Sequence, residues 1–287
     1  MKISKKTLSI ILFVLAGICV LAAVILLVKG RIEDRRMEEA LDELRPTQSA
    51  ETTQAPSTVE GEPTVTASPE PSTEETPAPT EEFERVANPY ADSFLANKDM
   101  AAWLQIPGTN IDYPVMWTPE DETYYLYRAF DGSENKNGCL LLDDESCVDP
   151  LTTNLIIHGH NMKSGAMFGN LTDYENQDFY KEHKNIILYT EECQRNYEII
   201  AVFRSQVYRK TDQVFKFYKF FQADTQEEFD DFYNNIKQLS QYDTGVTAEF
   251  GDHFLTLSTC VYHVEQGRFV VVAKEVEPGD HYLPIQE

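Results

Sequence analysis

Between Lys6 and Lys29 the residues Thr7 to Val28 carry no charge and are almost wholly Leu, Ile, Val, Ala and Phe. As a helix this run spans about 33 Å, enough to cross a hydrocarbon core of roughly 30 Å. A cleaved signal peptide has an apolar core of about 7–15 residues and a small-residue cleavage site. This run is longer and stops at Lys29, which predicts an uncleaved transmembrane helix over 7–28 with a short segment 1–6 before it. Ile32, Met37, Ala40, Leu41 and Leu44 then continue as a short amphipathic helix that Pro46 ends. From Pro46 to about Glu82 the chain is Thr, Pro, Ser, Glu and Ala with no aromatic residue. Such a stretch buries too little apolar surface to offset its ordering entropy and is expected to be disordered. Residues 29–86 therefore read as an acidic linker and 87–287 as the folded domain.

Beyond Asn88 the pattern changes to short β-rich runs. Trp103 to Ile106, Ile111 to Met116, Cys139 to Leu142, Asn154 to Ile157, Ile186 to Thr190, Tyr197 to Arg204, His253 to Cys260 and Arg268 to Val276 all read as strands. Helical candidates are few: Ala91 to Asn97, a turn near Met167 to Tyr174, and Thr225 to Leu239. In the last of these, Phe229, Phe232, Tyr233, Ile236 and Leu239 recur at spacings of three and four, giving one apolar face. Many short strands with few helices predict a mainly β domain of about 200 residues, closed or partly closed into a barrel.

Charge changes the picture mainly by exclusion. The net charge of −24 argues against a nucleic-acid binder, because phosphate affinity comes from clustered Lys and Arg. The charge is also uneven: residues 1–30 carry +4, residues 31–86 carry −10 and residues 87–287 carry −18. Basic residues flank the apolar run on both sides, so the positive-inside rule does not orient it.

Of five cysteines, Cys19 lies in the apolar run. Cys139 and Cys147 are a feasible hairpin pair, but Cys139 amid Leu140, Leu141 and Leu142 reads as a buried free thiol, as does Cys193. Cys147 stays open. Cys260 differs, because it ends a strand whose hairpin partner begins at Arg268, and antiparallel pairing places the two at one end of the sheet. Period-two alternation sets Thr256, Ser258 and Cys260 on one face and Leu255 and Leu257 on the other, a polar row that suggests a groove. His160 follows a buried strand that breaks at Gly159.

A thiol needs a nearby imidazole to form or stabilise its thiolate, and acyl transfer needs a donor for the developing oxyanion. Cys260, His160 and Arg268 supply these three groups, and no metal or other cofactor is required. A metal set of His158, His160, Cys260 and His263 matches no common structural zinc spacing.

Thr256-Leu257-Ser258-Thr259-Cys260 resembles the TLxTC signature of sortases, the membrane-anchored cysteine transpeptidases of Gram-positive bacteria, and Ser in its variable position is similar to class B. The Gly159-His160 segment with Met167-Phe168, the strand Arg268 to Lys274, the run Trp103 to Val115 and the 225–239 helix carry the same resemblance, which covers residues 88–276. It implies a closed eight-stranded barrel with peripheral helices. It implies Cys260, His160 and Arg268 as catalytic residues, with Ser258 and Thr259 contacting substrate. The implied reaction cleaves a C-terminal sorting motif of a secreted protein at a threonine, through a thioester, and passes the acyl group to an amine of peptidoglycan or a pilin. The implied place is the cell membrane, with the N-terminus cytoplasmic and the domain outside. A hydrolytic cysteine peptidase and a stalked non-enzymatic binding module are the alternatives.

Overall fold

The computed structural model describes residues 5–46 and 85–286; residues 1–4 and the expected disordered stretch within 47–84 lie outside them. Helix α1 (Lys5–Leu44) comes first. From Leu15 onward it is long and apolar enough to cross a membrane by length and composition. Leu15, Ile18, Leu21, Ile25 and Leu26 stand exposed on it. The short amphipathic segment expected after the apolar run is the last turns of this same helix. Met37 and Leu41, at i and i+4, are buried against the β domain.

The remaining elements follow in the order β1 (Arg85–Val86), α2 (Ala91–Ala96), β2 (Met100–Gln105), β3 (Asp112–Met116), β4 (Leu140–Leu142), β5 (Asn154–Gly159), α3 (Gln177–Glu182), β6 (Asn185–Tyr189), β7 (Cys193–Gln206), α4 (Gln226–Leu239), β8 (Phe254–Cys260) and β9 (Gly267–Tyr282). Neighbouring strands run β9-β7-β6-β2-β3-β4-β5-β8, and β8 pairs back with β9. Eight strands therefore close into a barrel as expected, and closure leaves no free edge around it. Strand β1 was not anticipated; two residues long, it adds to β9 outside the ring.

The pattern at β8 and β9 follows from two cores. Leu255, Leu257, Phe269, Val271 and Ala273 fill the barrel with Trp103, Leu104 and Leu188. Phe254, Val270 and Val272, which alternate with them, pack outward under Phe229, Phe232 and Ile236 of α4. Both faces of these strands are thus buried, which is why they read as near-continuous apolar runs. Helix α4 starts at a capping box, with the Thr225 hydroxyl accepting from the Glu228 amide and the Glu228 carboxylate accepting from the Thr225 amide. Its apolar face, with the loops around it, forms a cap over the outer side of β7, β8 and β9.

Burial alters the reading of the polar row on β8. Thr256 and Ser258 are buried, 0% and 1% exposed, and the row opens to solvent only at Cys260. The Thr256 hydroxyl donates to Asn154 Oδ1 at 2.9 Å. Alternation placed these residues on one face correctly; it carries no information about whether that face is covered. Among the described residues all five cysteines are free, with Cys139 and Cys193 buried. Burial pushes the Cys139 thiol up to about 12, so it stays protonated.

Candidate active site

Strand β8 lies between β5 and β9, and its last residue, Cys260, is exposed. On one side Cys260 pairs with Arg268, the second residue of β9. On the other, β5 runs parallel to β8 with Gly159 opposite Thr259, so His160 is the next step beyond the pairing, level with Cys260. Residues in register share a face of the sheet. The structure therefore brings His160, Cys260 and Arg268 together, abreast on the ends of three adjacent strands. That juxtaposition joins positions 100 and 108 residues apart in sequence.

Local constraints fix each of them. Gly159 has extended backbone, and a Cβ there would meet Leu140 Cδ2 and Phe168 Cδ2 at 2.6 Å. The glycine is needed for close packing under the histidine, where the sequence suggested a break in the strand. The chain then loops through Gly165 and Met167, which has a positive φ of 53°, and returns so that the Phe168 amide donates to the His160 carbonyl at 3.0 Å.

The His160 ring is held from outside the loop. Its Nε2 lies 2.8 Å from the Leu126 carbonyl oxygen. A carbonyl only accepts, so Nε2 carries the hydrogen and Nδ1 is left as the ring nitrogen that exchanges a proton. Tyr127 covers the ring, with centroids 5.3 Å apart and planes 30° from parallel. Arg268 is half-buried, and one of its guanidinium nitrogens donates to the carbonyls of Gln266 and Gly267 at 3.3 and 3.1 Å. The rest of its fork is available to an acceptor near Cys260. Gly267 is obligatory in the hairpin, because a Cβ would lie 2.3 Å from the Val261 carbonyl oxygen.

Ser258 and Thr259 lie beneath the surface, 1% and 2% exposed. The Thr259 hydroxyl donates to the Gly159 carbonyl at 2.7 Å and ties β8 to β5 next to both Cys260 and His160. Ser258 Oγ is buried with no hydrogen-bond partner, one alternate position below Cys260. Sequence reasoning missed Asn161, whose side-chain amide donates to the Cys260 carbonyl at 2.8 Å, and it missed Leu126 and Tyr127. Asn161 was visible beside His160, but its partner is set by the parallel register of β5 and β8. Leu126 acts through its backbone, which leaves no residue-type signal.

An exposed thiol whose strand neighbours in register carry an imidazole and a guanidinium is an arrangement suited to forming an acyl-enzyme and stabilising its oxyanion. Comparison with known proteins agrees with that chemistry. A sortase domain family matches residues 104–276. Sortase B of Listeria monocytogenes serovar 1/2a is 35% identical over 182 residues, covering 63% of this chain and 71% of that protein. Sortase B of Staphylococcus aureus is 28% identical over 186 residues, 63% and 72% of the two chains. Among solved structures, a Staphylococcus aureus sortase B–substrate complex aligns with a TM-score of 0.60 at 26% identity, over 68% of this chain and 87% of that one. Clostridium perfringens sortase B gives 0.58 at 27% identity over 65% and 98%. The fold, with a thiol at the open end of its strand, defines a cysteine transpeptidase that acts on sorting-motif substrates. The chain belongs to the sortase family, in its class B.

Proposed function

We propose that this chain cleaves a C-terminal sorting motif of a secreted protein at a threonine and joins the new acyl end to an amine of peptidoglycan or of a pilin. The observation that carries the reading is the placement of Cys260 between His160 and Arg268 on adjacent strand ends. The Cys260 thiolate attacks the threonine carbonyl, and the carbonyl oxygen takes the negative charge. Arg268 donates to that oxygen or to the substrate backbone. His160 delivers a proton to the leaving nitrogen as the peptide C–N bond breaks, leaving a thioester on Cys260. The incoming amine attacks the thioester, gives its proton to His160 and expels the thiolate, so a new amide forms and the enzyme is restored. The broken amide is replaced through a thioester of high transfer potential, and no nucleotide is consumed.

Ser258 and Thr259 contribute at the floor of the site. Thr259 holds the Cys260 and His160 strands together, and the unpartnered Ser258 hydroxyl lies beneath the position the motif would occupy. The apolar helix anchors the chain with residues 1–6 in the cytoplasm and the catalytic domain outside, because the acceptor amines lie outside the membrane.

The test is mass spectrometry of the full-length chain in detergent after exposure to a library of threonine-containing peptides, with and without glycine oligomers or a lysine-containing peptide as amine. A thioester on Cys260 that is lost with formation of an amide product supports the proposal. Release of free acid at the same rate whatever amine is offered identifies a hydrolase. Absence of any adduct, with Cys260→Ala processing the peptides as well as wild type, overturns the assignment of Cys260.

A further inference from the structure

The end of α1 does more than lead from the membrane to the domain. Beyond the apolar run it lies on the β domain, and the surface it covers belongs to the loop that holds His160. Met37 and Leu41 are 8% and 5% exposed. Together with Ala40 and Leu44 they face Pro114, Phe130, Cys139 and Met167. Polar contacts lock the same seat. Asn137, fully buried, donates to Asp34 Oδ1 at 3.1 Å and lies 3.3 Å from the Met37 sulfur. Lys136 Nζ lies 3.2 Å from Asp34 and 3.6 Å from Glu33, and donates to the Gly30 carbonyl at 3.1 Å. At the helix end Arg45 Nε reaches Asp112 Oδ2 at 3.0 Å, and the Ser93 hydroxyl donates to the Leu44 carbonyl at 3.0 Å.

From this seat to His160 the path is short and fully bonded. The Asn137 amide donates to Asn135 Oδ1 at 2.9 Å, and the Asn135 amide donates to the Tyr127 carbonyl at 3.0 Å. The Cys139 amide donates to the Tyr125 carbonyl at 3.1 Å. Gly138 lets the two arms of the loop touch, because a Cβ there would lie 2.2 Å from the Leu126 carbonyl oxygen. That same oxygen accepts from His160 Nε2, and Tyr127 covers the ring. Met167, under the helix, belongs to the loop that follows His160 and bridges to Asn161. The helix thus bears on the histidine from two sides.

We propose that residues 30–45 of α1 are a positioning element for His160, with Asp34, Met37 and Leu41 acting through the 124–138 loop, so that full transpeptidase activity requires the membrane-proximal helix to be seated on the barrel. The inference rests on the reading of His160 as the proton-transferring group. Seating the helix fixes the Leu126 carbonyl, which fixes the ring orientation and leaves Nδ1 as the nitrogen that exchanges a proton. An unseated helix frees the 135–139 arm and with it the ring. Substrate contacts at the exposed end of β8 are untouched, so the cost falls on turnover.

The test uses the full-length chain in detergent micelles and a fluorogenic peptide selected as a substrate of the wild-type chain. Met37→Asp and Leu41→Asp unseat the helix; Met37→Leu keeps an apolar side chain and serves as the rescue. Asp34→Ala removes the polar lock while leaving the apolar seat, and remains informative if the first two fail to fold. The expected result is a kcat lowered at least about tenfold in the Asp variants and severalfold in Asp34→Ala, with KM within twofold of wild type and Met37→Leu near wild type. Such a loss is within the roughly hundredfold that a 1 Å misplacement costs. Wild-type kcat in folded Leu41→Asp and Asp34→Ala, with His160→Ala inactive, overturns the inference. Wild-type kcat in His160→Ala instead overturns the reading of the site on which it rests.

Discussion

The Asn161 side chain donates to the backbone carbonyl of Cys260 at 2.8 Å, which makes the residue after the histidine the direct tether of the residue that bears the thiol. The contact spans the gap between β5 and β8 beyond their last paired residues, Gly159 and Thr259. A single hydrogen bond of this kind contributes about 0.5–1.5 kcal/mol. Replacing Asn161 with Ala is expected to lower kcat by roughly three- to tenfold, as that energy converts to rate. The melting temperature is expected to change little, because the tether joins an exposed strand end. Steady-state kinetics alongside thermal melts check both parts.

Thr259→Val keeps the β-branched shape and removes the hydroxyl that donates to the Gly159 carbonyl at 2.7 Å. About 1 kcal/mol of stability is expected to be lost, read as a lower midpoint in urea at unchanged slope. If the tie between strands is its main role, kcat falls and KM holds. A rise in KM alone would instead make Thr259 a substrate contact.

Gly159→Ala tests the close packing beneath His160. The new methyl group meets Leu140 and Phe168 side-chain atoms at 2.6 Å, so both must shift. Overpacking of a tight core costs about 1–3 kcal/mol. The variant is expected to be destabilised by that amount and to lose activity further than its folded fraction explains, since His160 is the next residue. Trimming the neighbour with Phe168→Leu in the same chain should recover part of the loss in both measurements.

Acid sensitivity follows from carboxylates held by hydrogen bonds. The Ser133 hydroxyl and amide hold Asp131 below the usual range, and amides at Asp224 and Thr225 with the Thr225 hydroxyl do the same for Glu228. Asp243 is lowered by the Gly245 amide and by Lys237. Each folded-state value lies below the unfolded one, near 3.9 for Asp and 4.3 for Glu. The unfolded chain therefore binds more protons as pH falls, and this stability, fully present above about pH 5, is lost as pH drops through the depressed values. Thermal melts between pH 6 and 3 should show falling stability. Glu228→Gln should be less stable at neutral pH and show a shallower fall.

Much of this was legible in the sequence because it rests on periodicity. The eight barrel strands, α4 with its apolar face, and the hairpin that pairs Cys260 with Arg268 come from local alternation and the order of residues. The register that sets His160 beside them does not, since the β5–β8 contact is parallel and long-range; His160 was grouped with Cys260 and Arg268 by the chemistry that acyl transfer needs, and the resemblance to sortases agreed. The burial of Ser258 was illegible for a different reason: alternation along β8 reports which face a residue is on and not whether that face is covered. Helix α3 and strand β1 are short and left little pattern. The seat of Met37 and Leu41 showed as an amphipathic stretch, yet nothing in that stretch names the surface it meets.

The seating of α1 also makes the helix a rigid link between the apolar run and the barrel. A helix continuous from the apolar run to Leu44 is a strut: from Val28 to Leu44 it rises about 24 Å. Arg45, just beyond its end, and Arg85, at β1, are both attached to the barrel. Inserting a single turn into this strut would lengthen it by roughly 5.4 Å and shift the barrel, with Cys260, by that much relative to the apolar run.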